Sequence, residues 1–328
     1  MKKFKKIIRA VLVLAVLAGL IYLIPKVITV VRLKRAADSY VAASSVSTFK
    51  DSKTTIIYDT NDQELCTMKN TKDMYYVSYQ EIPVTLVNSF VVMEDRQFYK
   101  HSGYDIKAIL RAIVINQKSN DIAQGASTIT QQLARNIFLS QEVTWQRKVE
   151  EIFIAVGLEK KYSKNQILEF YLNNIYFGNG YYGVEAAARG YFDKSVSELT
   201  LAEQTFIAAI PNNPTRYNPL TNYDNTVQRK NLILQQLYEA DDIGSLDRYM
   251  AETEEVVLNP HQTEEINNSV VTYARHCATE SLMSVSGFTF RYNFSSEDDY
   301  NAYEATYDTF YNMCQQKLLS GGYSIYTS

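Results

Sequence analysis

From just after Met68 to Ile210 apolar residues recur three and four positions apart almost without interruption, the spacing that lines one face of a helix. A chain with that period over so long a stretch folds mainly as α-helices. Ser163 with Gln166, and Thr200 with Glu203, have the spacing of capping boxes, in which a hydroxyl and an amide or carboxylate satisfy the free N–H groups of a first turn. The first opens a helix whose Ile167, Leu168, Tyr171, Leu172 and Ile175 form an apolar stripe ending near Gly178; the second stops at Pro211. Ahead of them, Thr54–Tyr58 and Glu64–Met68 flank a turn containing Asn61-Asp62, which predicts a small β-hairpin.

The first 32 residues have another character. Lys2, Lys3, Lys5, Lys6 and Arg9 precede an apolar run, and Ile7 to Val31 is long enough to cross a hydrocarbon core, for which about 20 residues suffice. The basic flank places the N-terminus in the cytoplasm and the rest outside. A cleaved signal peptide is the alternative, since Ala42-Ala43-Ser44 offers small residues. The run exceeds the roughly 7–15 residues of a signal h-region, and Arg32, Lys34 and Arg35 separate it from those alanines, which favours an uncleaved anchor. The net charge of −3 and three histidines give no basic face for nucleic acid, and three scattered cysteines give neither a disulfide framework nor a zinc site.

Two strings carry the chemistry. Residues 94–103 read Glu-Asp-Arg-Gln-Phe-Tyr-Lys-His-Ser-Gly, and Gly125-Ala126-Ser127-Thr128-Ile129-Thr130-Gln131-Gln132-Leu133-Ala134-Arg135-Asn136 follows. Glu94 comes after apolar Phe90–Met93, where partial desolvation would raise its pKa toward working pH. Taken alone, a Glu-Asp pair at a helix end is a capping or solvated pair. Ser127 and Thr128 read as an N-cap and first turn, whose free N–H groups and positive dipole end favour a phosphate. An ordinary capped helix would account for them, but not for two glutamines followed by a cation. A third string, Arg147-Lys148-Val149-Glu150-Glu151, puts Arg147 and Glu151 four apart; by default that is a surface ion pair, and Glu150 plain surface.

Together these strings resemble the motifs of the peptidoglycan glycosyltransferases (family 51), found alone or as the first domain of class A penicillin-binding proteins. Glu94, Asp95, Phe98, His101 and Gly103 match the first motif at every defining position. Further matches are Asn173, Gly178, Gly183, Ala186–Ala188, Tyr191-Phe192 and Leu201-Ala202-Glu203 through Pro219, so the resemblance runs from about residue 54 to 235. It implies a lysozyme-like fold and processive, inverting polymerisation of lipid II into β-1,4 glycan with release of undecaprenyl pyrophosphate. Glu94 would deprotonate the acceptor 4-hydroxyl, and Glu151 would be the second acidic residue. Asp95, Phe98, His101, Ser127, Thr128, Gln131, Gln132, Arg135, Asn136, Arg147 and Lys148 would bind substrate. Arg135 stands where the family carries lysine, which exchanges a compact ammonium for a planar fork. No cofactor is required; magnesium or manganese is compatible with a diphosphate, although no metal cage is legible.

The same resemblance sets the layout: a tail and anchor (1–32), a stalk (33–53), the glycosyltransferase domain (54–222) and a linker (223–328) leading to an absent transpeptidase domain, because Leu318–Ser328 resembles the passage into that domain. A natural monofunctional enzyme is the alternative. Partners would be lipid II, the growing strand, the bacterial cytoplasmic membrane and proteins of cell-wall synthesis or division. Between the motifs, Ile106, Ile109, Leu110 and Ile113, with Lys107 and Arg111 beside them, read equally as a core-facing helix or as the family's hydrophobic jaw on the bilayer. Tyr300, Tyr303, Tyr307, Tyr311 and Leu318 share a helix stripe, expected to pack against the preceding domain rather than to stack sugars. Ser47-Thr48-Phe49-Lys50 has the form of a penicillin-reactive serine motif, but it lies in the stalk and no Lys-Thr-Gly follows. Two other classes fit the fold: a lysozyme-like hydrolase, which would release reducing ends, and a non-catalytic scaffold, which would tolerate loss of Glu94.

Overall fold

The computed structural model describes residues 2–50, 54–68, 73–108, 127–140, 142, 144–260 and 269–327, with side chains in the first helix described from Tyr22. It is mainly helical, with two small sheets. Gly125, Ala126, and the Ile109, Leu110, Arg111 and Ile113 of the expected jaw lie outside the described residues. The chain divides into two compact units, Met1–Ser44 with Gln97–Ile167, and Ser45–Arg96 with Leu168–Ser328.

In the first unit, α1 runs over Lys2–Ala43. The stretch from Leu33 to Ala43, expected to belong to the stalk, is therefore helical. The reason is its small residues: Ala37 is wholly buried, and a Cβ on Gly157 would meet a Val41 methyl at 2.8 Å, so two backbones come close. The partner is α4 (Trp145–Lys161). Lys161 caps the end of α1, its Nζ donating to the carbonyls of Val41 at 2.7 Å, Ala42 at 3.2 Å and Ser44 at 2.5 Å. Among the described residues no helix is long and apolar enough to cross a membrane. The other helix of this unit is α3 (Ile129–Phe138), packed on α4.

In the second unit, β1 (Thr55–Tyr58) and β2 (Glu64–Met68) form the expected antiparallel hairpin, with Ile56 opposite Thr67. α2 (Val84–Glu94) buries Leu86, Val87, Phe90 and Val92, and Phe90 meets Tyr171 and Phe177 edge-on with centroids 6.0 and 6.2 Å apart. α5 (Lys164–Asn174) carries the chain from one unit into the other, and its whole expected stripe is at most 5 % exposed. Buried Asn173 on α5 accepts from the Val77 N–H and donates to the Val77 carbonyl, both at 2.9 Å, tying in an irregular segment. β3 (Asp73–Met74) then pairs in parallel with β4 (Tyr181–Tyr182). α6 (Val184–Phe192), α7 (Leu201–Ala208) and α8 (Tyr223–Glu239) follow; α7 and α8 both pack on α2. Both expected capping boxes form, with Thr200 N–H to Glu203 at 2.9 Å and Ser163 N–H to Gln166 at 3.0 Å.

After α9 (Ser245–Thr253), α10 (Ser269–Val285) and α11 (Glu297–Ser320) pair, and β5 (Ser324–Tyr326) joins β1 in parallel. The tyrosine stripe of α11 does not pack where the sequence suggested. Tyr303, Tyr307 and Tyr311 surround Phe288, Met283 and Cys314, because the chain turns at Gly287 and lays Phe288 back across α11.

Candidate active site

In the first unit the second motif is built on α3. Its N-cap is Thr128 alone, with Ser127 ahead of the helix, so the expected two-residue start is shifted by one. Thr128 and Gln131 form a capping box: the Thr128 N–H donates to Gln131 Oε1 at 2.9 Å, and the Gln131 N–H to Thr128 Oγ1 at 3.2 Å. The carboxamide oxygen of Gln131 is thereby committed to the backbone. Its Nε2, however, is buried without a hydrogen-bond partner among the described residues, and so is Arg135 Nε one turn on. Buried donors left this way carry a desolvation cost of about 1–3 kcal/mol that a ligand acceptor would relieve. Gln132 is half-buried and Asn136 exposed.

Thr128 also holds the first motif, its Oγ1 donating to the Gly103 carbonyl at 2.9 Å. Gly103 has φ +98°, and a Cβ there would lie 2.7–2.8 Å from the backbone of Ala155 and Val156. The Gly103 N–H donates to His101 Nδ1 at 3.1 Å.

A carboxylate absent from the expected set joins the strings. Glu159, 4 % exposed, accepts from Thr130 Oγ1 at 2.6 Å and Lys164 Nζ at 2.7 Å, and lies 3.5 Å from His101 Nδ1. Lys164 also donates to the His101 carbonyl at 2.9 Å and stands 4.3 Å above the Phe98 ring. The signal was there in the sequence. Glu159 falls on the same α4 face as buried Glu151, Ala155 and Leu158, where a charge requires a partner.

The third motif corrects a default. Glu151 is wholly buried rather than at the surface: Arg147 Nη1 donates to its Oε2 at 2.6 Å and Lys148 Nζ to its Oε1. Lys148 further donates to Ser127 Oγ at 2.6 Å, linking α4 to the residue ahead of α3. Arg147 Nε donates to the Glu142 carbonyl, and Thr144 caps α4 by accepting from the Arg147 N–H at 3.1 Å. The arrangement fixes two cations in place and presents positive charge. Glu150 is half-buried rather than plain surface, and burial pushes its carboxyl up from its ordinary value.

In the second unit, Glu94 is the last residue of α2, half-buried, with buried Asp95 as the C-cap donating its N–H to the Val91 carbonyl at 3.0 Å. Arg96 Nε donates to the Val92 carbonyl at 3.0 Å and closes the helix end. Glu94 thus sits one turn beyond Phe90, on the helix face that Phe90 packs against Tyr171 and Phe177. Among the described residues no group of three or more His, Cys, Asp or Glu could hold a metal ion.

A family profile described as Transglycosylase matches residues 61–238, more than half of the chain. Penicillin-binding protein 4 of Bacillus subtilis is 43 % identical over 212 residues, covering 65 % of this chain and 34 % of that protein. Penicillin-binding protein 1A of Escherichia coli is 42 % identical over 222 residues, 67 % of this chain and 26 % of that one. The chain belongs to the transglycosylase family and, with it, to the peptidoglycan glycosyltransferases that its motifs resemble. It spans about a third or less of these relatives' length. The solved penicillin-binding protein 1A of Haemophilus influenzae aligns at TM-score 0.38 and 21 % identity over 70 % of this chain and 24 % of that one, a likeness that carries no weight for the fold.

Proposed function

We propose that this chain polymerises lipid II into β-1,4 glycan with inversion at the anomeric carbon and release of undecaprenyl pyrophosphate. The observation that carries the reading is the buried Glu151 holding Arg147 and Lys148, with Lys148 on Ser127, beside a helix whose Gln131 Nε2 and Arg135 Nε have no partners among the described residues. Such a set suits a diphosphate. Transfer from a sugar diphosphate breaks the C1–O bond and leaves an anion that needs neutralising rather than protonating. Glu94 takes the proton from the acceptor 4-hydroxyl as its oxygen attacks C1, and the bonding pair leaves with the diphosphate, whose charge Arg147, Lys148 and Arg135 offset. Asp95, Phe98, His101, Thr128, Gln132 and Asn136 complete the substrate-binding set by resemblance. No cofactor is required, and a divalent cation is compatible with the diphosphate.

The wider reading follows from the same motifs. The domain is lysozyme-like, the basic and apolar residues up to Val31 anchor it in the bacterial cytoplasmic membrane with the catalytic part outside, and the chain is the polymerase portion of a bifunctional penicillin-binding protein. Incorporation of labelled lipid II by the detergent-solubilised chain tests it. Polymer that a muramidase degrades, reduced about 10²-fold or more by Arg147→Ala with Lys148→Ala, is the expected result. Release of reducing ends from finished glycan, without polymer, would make it a hydrolase instead.

A further inference from the structure

On α9 the packed side and the outer side are both legible. Ala251 is 2 % exposed, and its carbonyl accepts from the buried Lys230 Nζ at 2.8 Å. Arg248 also turns inward, its guanidinium 5.5 Å from the Tyr238 ring and its Nε 2.7 Å from Glu252. Leu246, Tyr249 and Met250 point the other way and are 68, 64 and 61 % exposed. At about 100° per residue these three fall within one arc of roughly 100°, a stripe of large apolar side chains left in water. Tyr and Met are residue types enriched in protein interfaces, and contiguous exposed patches of this kind mark them.

Asp247 borders the stripe and faces an open cavity of about 510 Å³, lined also by Thr85, Leu201, Tyr238, Asp241 and Asp242. No cation lies within pairing distance of Asp241, Asp242 or Asp247 among the described residues; Asp242 has only the Asn88 amide at 2.8 Å, and Asp247 caps the Gly244 N–H at 3.2 Å. Burial, with Asp241 beside it, pushes the Asp242 carboxyl up, as expected for a negative group that lacks a counter-charge. The cavity therefore combines a wall of aromatic and aliphatic carbon with three aspartates that have no ion-pair partner among the described residues, the nearby Arg248 over Tyr238 being held by Glu252. An anionic leaflet would be repelled by the three aspartates. A second copy in a twofold contact would bring two acidic cavities together.

We propose that the cavity and the stripe are one docking surface for another protein's amphipathic segment, its apolar side chains on Leu246, Tyr249 and Met250 and a lysine or arginine in the aspartate-lined cavity. The mode is helix-in-groove recognition with a charge that sets register. It holds whether or not the polymerase reading does.

The test uses the full chain in zwitterionic nanodiscs and a labelled helical peptide with leucine on one face and lysine flanking it, read by fluorescence anisotropy with empty discs subtracted. Asp241→Asn with Asp242→Asn, and separately Leu246→Ser with Tyr249→Ser, should each weaken binding about tenfold, and the peptide with glutamate in place of lysine should not bind. Glu297→Gln with Asp298→Asn, remote in sequence, should leave binding unchanged. Because all four target side chains touch solvent, far-ultraviolet circular dichroism should be unaltered. Equal binding by both variant pairs would overturn the proposal. So would a Leu246/Tyr249 variant that abolishes self-association in sedimentation, or adsorption to anionic vesicles, while leaving peptide binding intact.

Discussion

Arg147 and Glu151 are one turn apart on α4, joined at 2.6 Å, and the carboxylate of that pair is wholly out of water. Glu151 also holds Lys148, so its removal frees two cations at once. Truncating one partner of a fully buried pair costs about 3–5 kcal/mol. Here the cations are 14 and 36 % exposed, and solvent would absorb part of the loss, so Glu151→Ala should cost about 2–3 kcal/mol in a urea unfolding series. Glu151→Gln should cost less and still lower polymer yield, because Arg147 and Lys148 would no longer be held.

Glu159 should matter for a different reason. It joins Thr130 of the second motif to Lys164, which in turn holds the His101 carbonyl, so Glu159→Gln keeps an acceptor for Thr130 but removes the charge that faces Lys164. The expected outcome is a rise in KM for lipid II of about tenfold with kcat less affected, measured by initial rates on protein of unchanged circular dichroism.

Gly103→Ala should destabilise the first unit by about 2 kcal/mol or more, since φ +98° is foreign to a residue with a Cβ and the new atom would meet α4 backbone. Thermal unfolding checks this, and Ser102→Ala beside it should be near neutral.

A pH effect is expected in the C-terminal segment. Arg291, together with the N–H and hydroxyl of Ser295, holds the Asp299 carboxyl at about 2, below its ordinary 3.8. A depressed carboxyl stabilises above its unfolded value, so the contribution is complete above about pH 4 and lost as pH falls toward 2. The aromatic signals of Phe288 and Tyr303 in nuclear magnetic resonance should loosen across that window, and Asp299→Asn should remove the pH dependence.

Much of this was legible in sequence because it rests on local rules. The two capping boxes, the α5 stripe and the hairpin at Asn61-Asp62 all form from residues a few positions apart. What sequence missed depends on neighbours far along the chain. Leu33, Ala37, Val41 and Ser44 do recur at helix spacing, but the small side chains among charges hid it, and only α4 and the Lys161 cap make that stretch a docked helix. Arg147 and Glu151 look the same in sequence whether exposed or buried, and only the packing of α3 on α4, outside their local string, distinguishes the two. The tyrosine stripe of α11 was correctly placed on one face, but its partner was set by a glycine turn that lays Phe288 across it.

The most direct test of the central claim is polymerisation of labelled lipid II by the solubilised chain with Glu94 intact and as Glu94→Gln. A fold-preserving loss of about 10²–10⁴-fold in muramidase-sensitive polymer is the expected result for a general base. Undiminished polymer from Glu94→Gln would contradict the account.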